Sequence, residues 1–329
     1  MKILVLHTGG TIASEKNDNV INPANAPVIE KFLKEHKDTE LENVKICEIL
    51  SENADNSFYE RLINTILSTD LSNYGGIIIM HGTDTLPFTS SLVAMALRHI
   101  DLPVCFVSAN FVITDPRSNA LDNLELAVNY IENGGKGFVV PYKNSNGKSL
   151  IHLATRLYEA DFVSADFNSI NNTYLAEADN SGYISFNRKS GISYDEISNP
   201  LPRIVGDKIN LDKRVLLIRA FPDIDYSVFD FEKTKPSAII HTTYHSGTAD
   251  GNKLPEFIEK CKQNGISFYL CPVRRNEAFY GSTDSIIASG AIPLFNMTPE
   301  SALAKIKLIN NIDGLSEKDS LYYEDFERR

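Results

Sequence analysis

What most constrains this chain is a repeated handover, in which a short β-branched run stops at a glycine or a small polar residue and a helical stretch soon begins. Gly75-Gly76-Ile77-Ile78-Ile79-Met80 is the clearest instance. An unbroken apolar run of this length, bounded by glycine, reads as a strand buried on both faces. His81-Gly82-Thr83-Asp84-Thr85 follows it, then Pro87, then a stretch over 89–97 whose apolar positions suit a helix lying on a sheet. In open α/β sheets ligands gather outside the carboxyl ends of the strands, where such a polar segment falls. A hydroxyl beside a carboxylate can there hold a polar substrate or relay a proton. The competing reading is that Thr83 and Asp84 merely cap the helix.

The same handover recurs along the chain. Strands are predicted over 2–6, 44–49, 76–80, 104–107, 137–140 and 150–154, with helices over 26–35, 58–67, 90–99 and 120–132. In the last of these, Leu121, Leu124, Ala127, Val128 and Ile131 keep helical spacing with charges opposite. Such alternation gives a doubly wound, mostly parallel sheet with helices on both faces. Lys143-Asn144-Ser145-Asn146-Gly147-Lys148 reads as a hairpin tip, so the first domain is expected to end in antiparallel strands.

A segment rich in Asn, Ser, Gly and Pro precedes a second α/β pattern. Here strands are predicted over 214–221, 238–241 and 267–273, and helices over 253–263 and 299–309. Thr298 as N-cap and Pro299 at the first position open the last helix. The expected organisation is a larger α/β domain over 1–190, a linker over 191–212 and a smaller C-terminal α/β domain over 213–329. The charged tail over 316–329 is expected to fray.

Composition narrows the function classes. A length of 329 residues favours two domains, and 43% hydrophobic with 23% charged residues is ordinary for a protein with a sizeable core. A net charge of −11 argues against a nucleic-acid or anionic-membrane surface. Cys47, Cys105, Cys261 and Cys271 lie far apart, two of them inside apolar runs, which points to reduced thiols rather than a disulfide framework or a zinc site. His241 and His245 sit at a strand end without a third partner in the sequence, so no metal is expected. With no charged leader before an apolar core, and no apolar run near the roughly 20 residues that span a bilayer, the cytoplasm is the expected location.

The N-terminus carries the second decisive segment. The strand at 2–6 runs into His7-Thr8-Gly9-Gly10-Thr11-Ile12-Ala13. Paired glycines permit a sharp turn and the close approach of a ligand, and Thr11 directly after them is placed to present a hydroxyl as nucleophile. Gly9-Gly10 lacks the further glycine and spacing of a dinucleotide fingerprint. Taken together, Thr8-Gly9-Gly10-Thr11-Ile12-Ala13 and His81-Gly82-Thr83-Asp84-Thr85 resemble the two signature motifs of the bacterial-type L-asparaginases, the threonine amidohydrolases. Pro103-Val104-Cys105-Phe106-Val107-Ser108-Ala109-Asn110, Arg117-Ser118-Asn119-Ala120 and Asn296-Met297-Thr298-Pro299-Glu300-Ser301-Ala302-Leu303 are similar to further segments of that family, whose cytoplasmic type I branch is nearest.

The resemblance implies a cofactor-free enzyme, a homodimer or homotetramer, acting on a small amide with no nucleic-acid or membrane partner. Its expected catalytic residues are Thr11 as nucleophile with Thr83 and Asp84 as the second constellation. Gly10, Asn53, Ala54, Gly82, Thr83 and Asp84 are expected to bind substrate. Asp84 would pair with the substrate α-ammonium, and the Thr83 backbone N–H would help hold the oxyanion. Asn53 is assigned to the position of a family serine that binds the α-carboxylate, with Ser51 the alternative register.

Besides that serine, three family features are missing. The loop over 14–25 has no tyrosine, Val20 standing nearest that position. No lysine occurs between Lys148 and Lys189, where the catalytic lysine belongs; Tyr158 or Glu159 takes its place, with Arg156 close by. Arginine stays protonated in proteins and cannot shuttle the proton. Thr248 stands where related enzymes carry an asparagine at a subunit-shared site. Three functions therefore remain open: asparagine hydrolysis with rearranged proton transfer through Tyr158, Glu159 or His245, hydrolysis of another amide, and ligand binding without catalysis.

Overall fold

The apolar runs of the first half all become strands in the computed structural model, which describes every residue except 18, 19, 24–26, 37, 276, 277, 328 and 329. In order they are β1 (Lys2–Gly9), a hairpin of β2 (Ser14–Asn17) and β3 (Val20–Pro23), α1 (Pro27–Glu35), β4 (Glu40–Ile49), α2 (Asn56–Ser68), β5 (Gly76–Met80) and α3 (Leu86–Ala96). There follow β6 (Val104–Val107), α4 (Ala120–Glu132), β7 (Phe138–Lys143), β8 (Ser149–Leu153), β9 (Ala176–Ala178), β10 (Ile184–Phe186) and α5 (Tyr194–Ser198).

Eight of these strands form one sheet in the order β10-β9-β8-β7-β6-β5-β1-β4. From β4 to β7 the pairing is parallel, and from β7 to β10 it is antiparallel. Ile77, Ile78, Ile79 and Met80 have no exposed surface, as a central strand covered by helices on both faces requires. The chain leaves β1 for β4 on one side and then crosses to β5 on the other, so β1 and β5 flank a topological switch point, where doubly wound sheets open a ligand crevice. Both signature segments lie at the carboxyl ends of these two strands.

Residues 1–209 make one compact unit and 210–329 another. The polar stretch from 191 is tied into the first unit as far as Ile209. Arg98 Nε donates to the Pro202 carbonyl, and Asn64 exchanges two hydrogen bonds with the Ile209 backbone. In the second unit β11 (Val215–Ile218), α6 (Phe231–Thr234), β12 (Ala238–Thr242), α7 (Leu254–Gln263), β13 (Ser267–Val273), α8 (Gly281–Ala288), β14 (Ile292–Phe295) and α9 (Pro299–Asn311) build a four-stranded parallel sheet in sequence order. Successive residues of β12 feed its two faces: Ile239 packs with Phe257 and Phe268, Ile240 with Tyr269 and Ile306. Thr298 caps α9 by accepting the Ser301 N–H.

Three local expectations need correction. The helix read over 90–99 starts earlier, at Leu86, because Pro87 fits a first helical turn, where its missing N–H has no partner to lose. The loop over 14–25 contains the paired strands β2 and β3; residues 18, 19, 24 and 25 lie outside the described residues. As far as residue 327 the tail does not fray: Leu321, Tyr322 and Glu324 are buried, and the Lys305 ammonium bonds the Glu324 carboxylate at 3.0 Å, while residues 328 and 329 lie outside the described residues. All four cysteines are free, Cys47 half-buried and the others buried. Among the described residues no helix is long and apolar enough to cross a membrane, and no three His, Cys, Asp or Glu side chains cluster as a metal site.

Candidate active site

The site is built around two glycines that touch. Gly9 and Gly10 turn the chain at the end of β1 with positive φ. A Cβ on Gly10 would lie 2.3 Å from the Gly82 nitrogen, so any larger residue there is strained and also collides with the second segment. Gly82 is hemmed in on another side, since a Cβ there would meet Ser51 Oγ at 2.5 Å. Three segments distant in sequence thus meet at one point. Thr8 Oγ1 donates to the Met80 carbonyl at 2.7 Å, linking the ends of β1 and β5, and Thr85 Oγ1 donates to the Ser51 carbonyl at 2.8 Å.

This contact brings the catalytic candidates together. Thr11 and Thr83 each follow a touching glycine, so two Cα steps of about 3.8 Å keep their α-carbons within about 12 Å. Both threonines are half-buried, and neither hydroxyl has a hydrogen-bond partner among the described residues. Asp84 is exposed, with Ser51 Oγ at 3.5 Å from one carboxylate oxygen. The capping role for Thr83 and Asp84 does not hold. The N-cap of α3 is Thr85, its hydroxyl turned to Ser51, and no side chain caps this helix. Hydroxyls and a carboxylate at a strand end, released from local duties, are what a polar substrate needs to meet.

The structure brings Ser51 rather than Asn53 to Asp84. Ser51 is buried, whereas Asn53 is exposed and Ala54 half-buried, both held through backbone bonds back to Leu50 and Ser51. The sequence signal for Ser51 is its position as the first polar side chain beyond the end of β4. Ser51→Ala is expected to raise the KM for an amino-acid amide about tenfold, the loss of one hydrogen bond to a charged group, with Asn53→Ala within about twofold of wild type. Steady-state kinetics on both variants check this, and the opposite ranking would favour Asn53 over Ser51.

At the position of the missing lysine, β8 is pinned against α3. The Ala154 carbonyl accepts the Ser90 and Ser91 hydroxyls at 2.9 and 3.1 Å. Just beyond, Arg156 is buried and donates to the Ser190 carbonyl, while Tyr158 and Glu159 are exposed. The two histidines of the motifs bring no charge at neutral pH. Burial lowers the pKa of His7, against a hydrogen bond to Asn43 that favours the charged ring, and burial brings His81 down to about 4. In the second unit, His241 bonds the Tyr226 hydroxyl and the Thr242 carbonyl.

A family model described as "Asparaginase, N-terminal" matches residues 2–191. This chain belongs to the asparaginase family. It is 27% identical over 320 residues to a glutamyl-tRNA(Gln) amidotransferase subunit of Pyrococcus abyssi, an alignment covering 93% of this chain and 71% of that one. To the L-asparaginase of Thermococcus kodakarensis it is also 27% identical, over 322 residues, covering 93% and 92%. The solved thermostable L-asparaginase of Thermococcus kodakarensis shares its fold with a TM-score of 0.80 at 23% identity, covering 98% of this chain and 99% of that one. Asparaginase-family membership makes the protein an amidohydrolase by kinship.

Proposed function

We propose that this protein hydrolyses L-asparagine to L-aspartate and ammonia with Thr11 as nucleophile, catalysis being housed in the first unit of a homodimer or homotetramer. The observation that carries the reading is the contact of Gly10 with Gly82, which sets two uncommitted threonine hydroxyls beside an exposed carboxylate. In this scheme Thr11 Oγ1 loses its proton and attacks the amide carbon. The C–N bond breaks and the nitrogen leaves as ammonia, having gained a proton. Water then attacks the resulting ester, releasing aspartate and restoring the hydroxyl. The Thr83 N–H holds the oxyanion, Asp84 the α-ammonium and Ser51 the α-carboxylate.

Without the family lysine, proton removal falls to a weaker group, so turnover is expected to be slow. Tyr158 and Glu159, which stand where the sequence places that lysine, are both exposed, and neither supplies a lysine amine. A second reading, hydrolysis of a different amide, has its own support. The identity to an amidotransferase subunit equals that to an L-asparaginase. Ammonia release from L-asparagine, measured beside L-glutamine, tests both: a clear glutamine preference favours the second reading, and release from neither removes the enzyme.

Asp84→Asn is expected to weaken binding of L-aspartate by about 2 kcal/mol, the lower end for truncating one member of a charge pair, because Asp84 is exposed in the free protein. Calorimetry giving an unchanged Kd would remove the amino-acid ligand from the proposal.

A further inference from the structure

His81 directly follows β5, with its side chain buried and its ring tilted against Phe58, centroids 5.7 Å apart. Its Nδ1 lies 2.7 Å from the Gly82 carbonyl oxygen. A carbonyl oxygen only accepts, so Nδ1 carries the hydrogen, and the neutral ring leaves a lone pair on Nε2. The second unit repeats the device. His241 lies one residue before the end of β12, its Nδ1 is 2.7 Å from the Thr242 carbonyl, and its ring is tilted against Tyr226 at the same 5.7 Å. There the Tyr226 hydroxyl reaches Nε2 at 2.8 Å. Phe58 has no hydroxyl to offer, and His81 Nε2 has no partner among the described residues. Among those residues, the bond to Gly82 is therefore the one hydrogen bond that the His81 ring makes.

That bond acts on a particular peptide. The Gly82 carbonyl and the Thr83 N–H belong to one planar trans unit and point in opposite directions. Fixing the carbonyl fixes the N–H. Gly82 has no Cβ to restrict it, so without an anchor this plane is free to turn. The Thr83 N–H itself has no partner among the described residues, a donor held in place and left open.

We propose that His81 is a positioning residue whose Nδ1–H bond to the Gly82 carbonyl sets the Gly82–Thr83 peptide plane and so aims the Thr83 N–H at the oxyanion. This rests on the amidohydrolase reading above. His81 touches no substrate; it acts through the backbone, and the effect belongs in the transition state, where the oxyanion develops.

Three variants test it. His81→Phe keeps a ring against Phe58 and removes the donor. His81→Asn puts an amide N–H near the Nδ1 position. Phe58→Tyr leaves His81 in place and gives Nε2 the hydroxyl that Tyr226 gives His241. His81→Phe is expected to lower kcat roughly 10- to 100-fold, approaching the loss of an oxyanion donor, with KM within about threefold. His81→Asn should recover kcat to within about threefold of wild type, and Phe58→Tyr should leave it within about twofold. The Thr83 amide resonance in a ¹H–¹⁵N spectrum should shift in the Phe variant and return in the Asn variant. Unchanged kcat in His81→Phe, or equal damage in Phe and Asn, overturns the proposal. So does a collapse of kcat in Phe58→Tyr, which would assign the work to Nε2. Should wild type release no ammonia from either amide, the amidohydrolase reading fails by itself. The resonance then decides the positioning role, an unmoved Thr83 amide in His81→Phe ending it.

Discussion

Thr11→Ala is expected to take ammonia release to background, a loss of at least ~10³-fold, as removal of a nucleophile does, with little change in stability. The two halves of this expectation come from one observation. The Thr11 hydroxyl is half-buried and makes no hydrogen bond among the described residues, so its deletion breaks nothing in the fold. Thr8, three residues earlier, is the control. It is buried and joins β1 to β5 through the Met80 carbonyl, so Thr8→Ala is expected to cost about 1 kcal/mol of stability while leaving Thr11 chemically intact. Thr11→Ser should retain part of the turnover, because the hydroxyl remains. Tyr158→Lys and Glu159→Lys extend the series in the other direction: whichever side chain faces Thr83 should raise turnover by restoring a proton acceptor. Ammonia release by all of these is assayed side by side. Full activity in Thr11→Ala would remove the threonine from the mechanism, and rapid turnover in wild type would mean that another base has been missed.

The sequence made the sheet and the place of the site legible because both rest on strong periodic signals. Gly76–Met80, Val104–Val107 and Ala120–Glu132 are as their apolar spacing predicts, and the two glycine segments fall at strand ends flanking the switch point. What the sequence hid is aperiodic. Ser51–Asn53 is a single 3-10 turn, too short for any repeat to fix its register, and it is burial and the approach to Asp84 and Gly82 that separate Ser51 from Asn53. The strands β9 and β10 and the strand β14 are three or four residues long and carry no alternation to read. His81 stands in plain view within a motif, but its bond to the next carbonyl is a matter of rotamer and burial that no spacing encodes.

The charged tail misleads for a related reason: charge in a sequence suggests exposure, whereas here a charge is buried with its partner. Lys305→Met is expected to destabilise the second unit by about 3–5 kcal/mol, the penalty for leaving a buried charge unpaired. The Lys305 and Glu324 side chains are 4% and 1% exposed. Glu324 also accepts the N–H groups of Leu321 and Tyr322, so its carboxylate folds the tail around itself while α9 supplies the cation. Burial alone would raise the Glu324 pKa; the Lys305 charge and the backbone donors together outweigh it and hold the group below its ordinary value. A carboxylate depressed in the folded state stabilises fully above its unfolded pKa and loses that contribution as pH falls through the folded one. In Lys305→Met the opposing burial is left less well balanced, and protonation at lower pH relieves the buried charge. The gap in thermal midpoint between wild type and variant should therefore be widest near neutral pH and narrow on acidification below about pH 5. Replacing both partners, as in Lys305→Met with Glu324→Leu, should recover part of the loss, since no charge is then stranded. Thermal unfolding of the three proteins at about pH 7.5 and about pH 4.5, on either side of that window, measures each of these differences. A Lys305→Met midpoint equal to wild type at the higher pH would show that the tail is held by its apolar residues, Leu321 and Tyr322, and not by the ion pair.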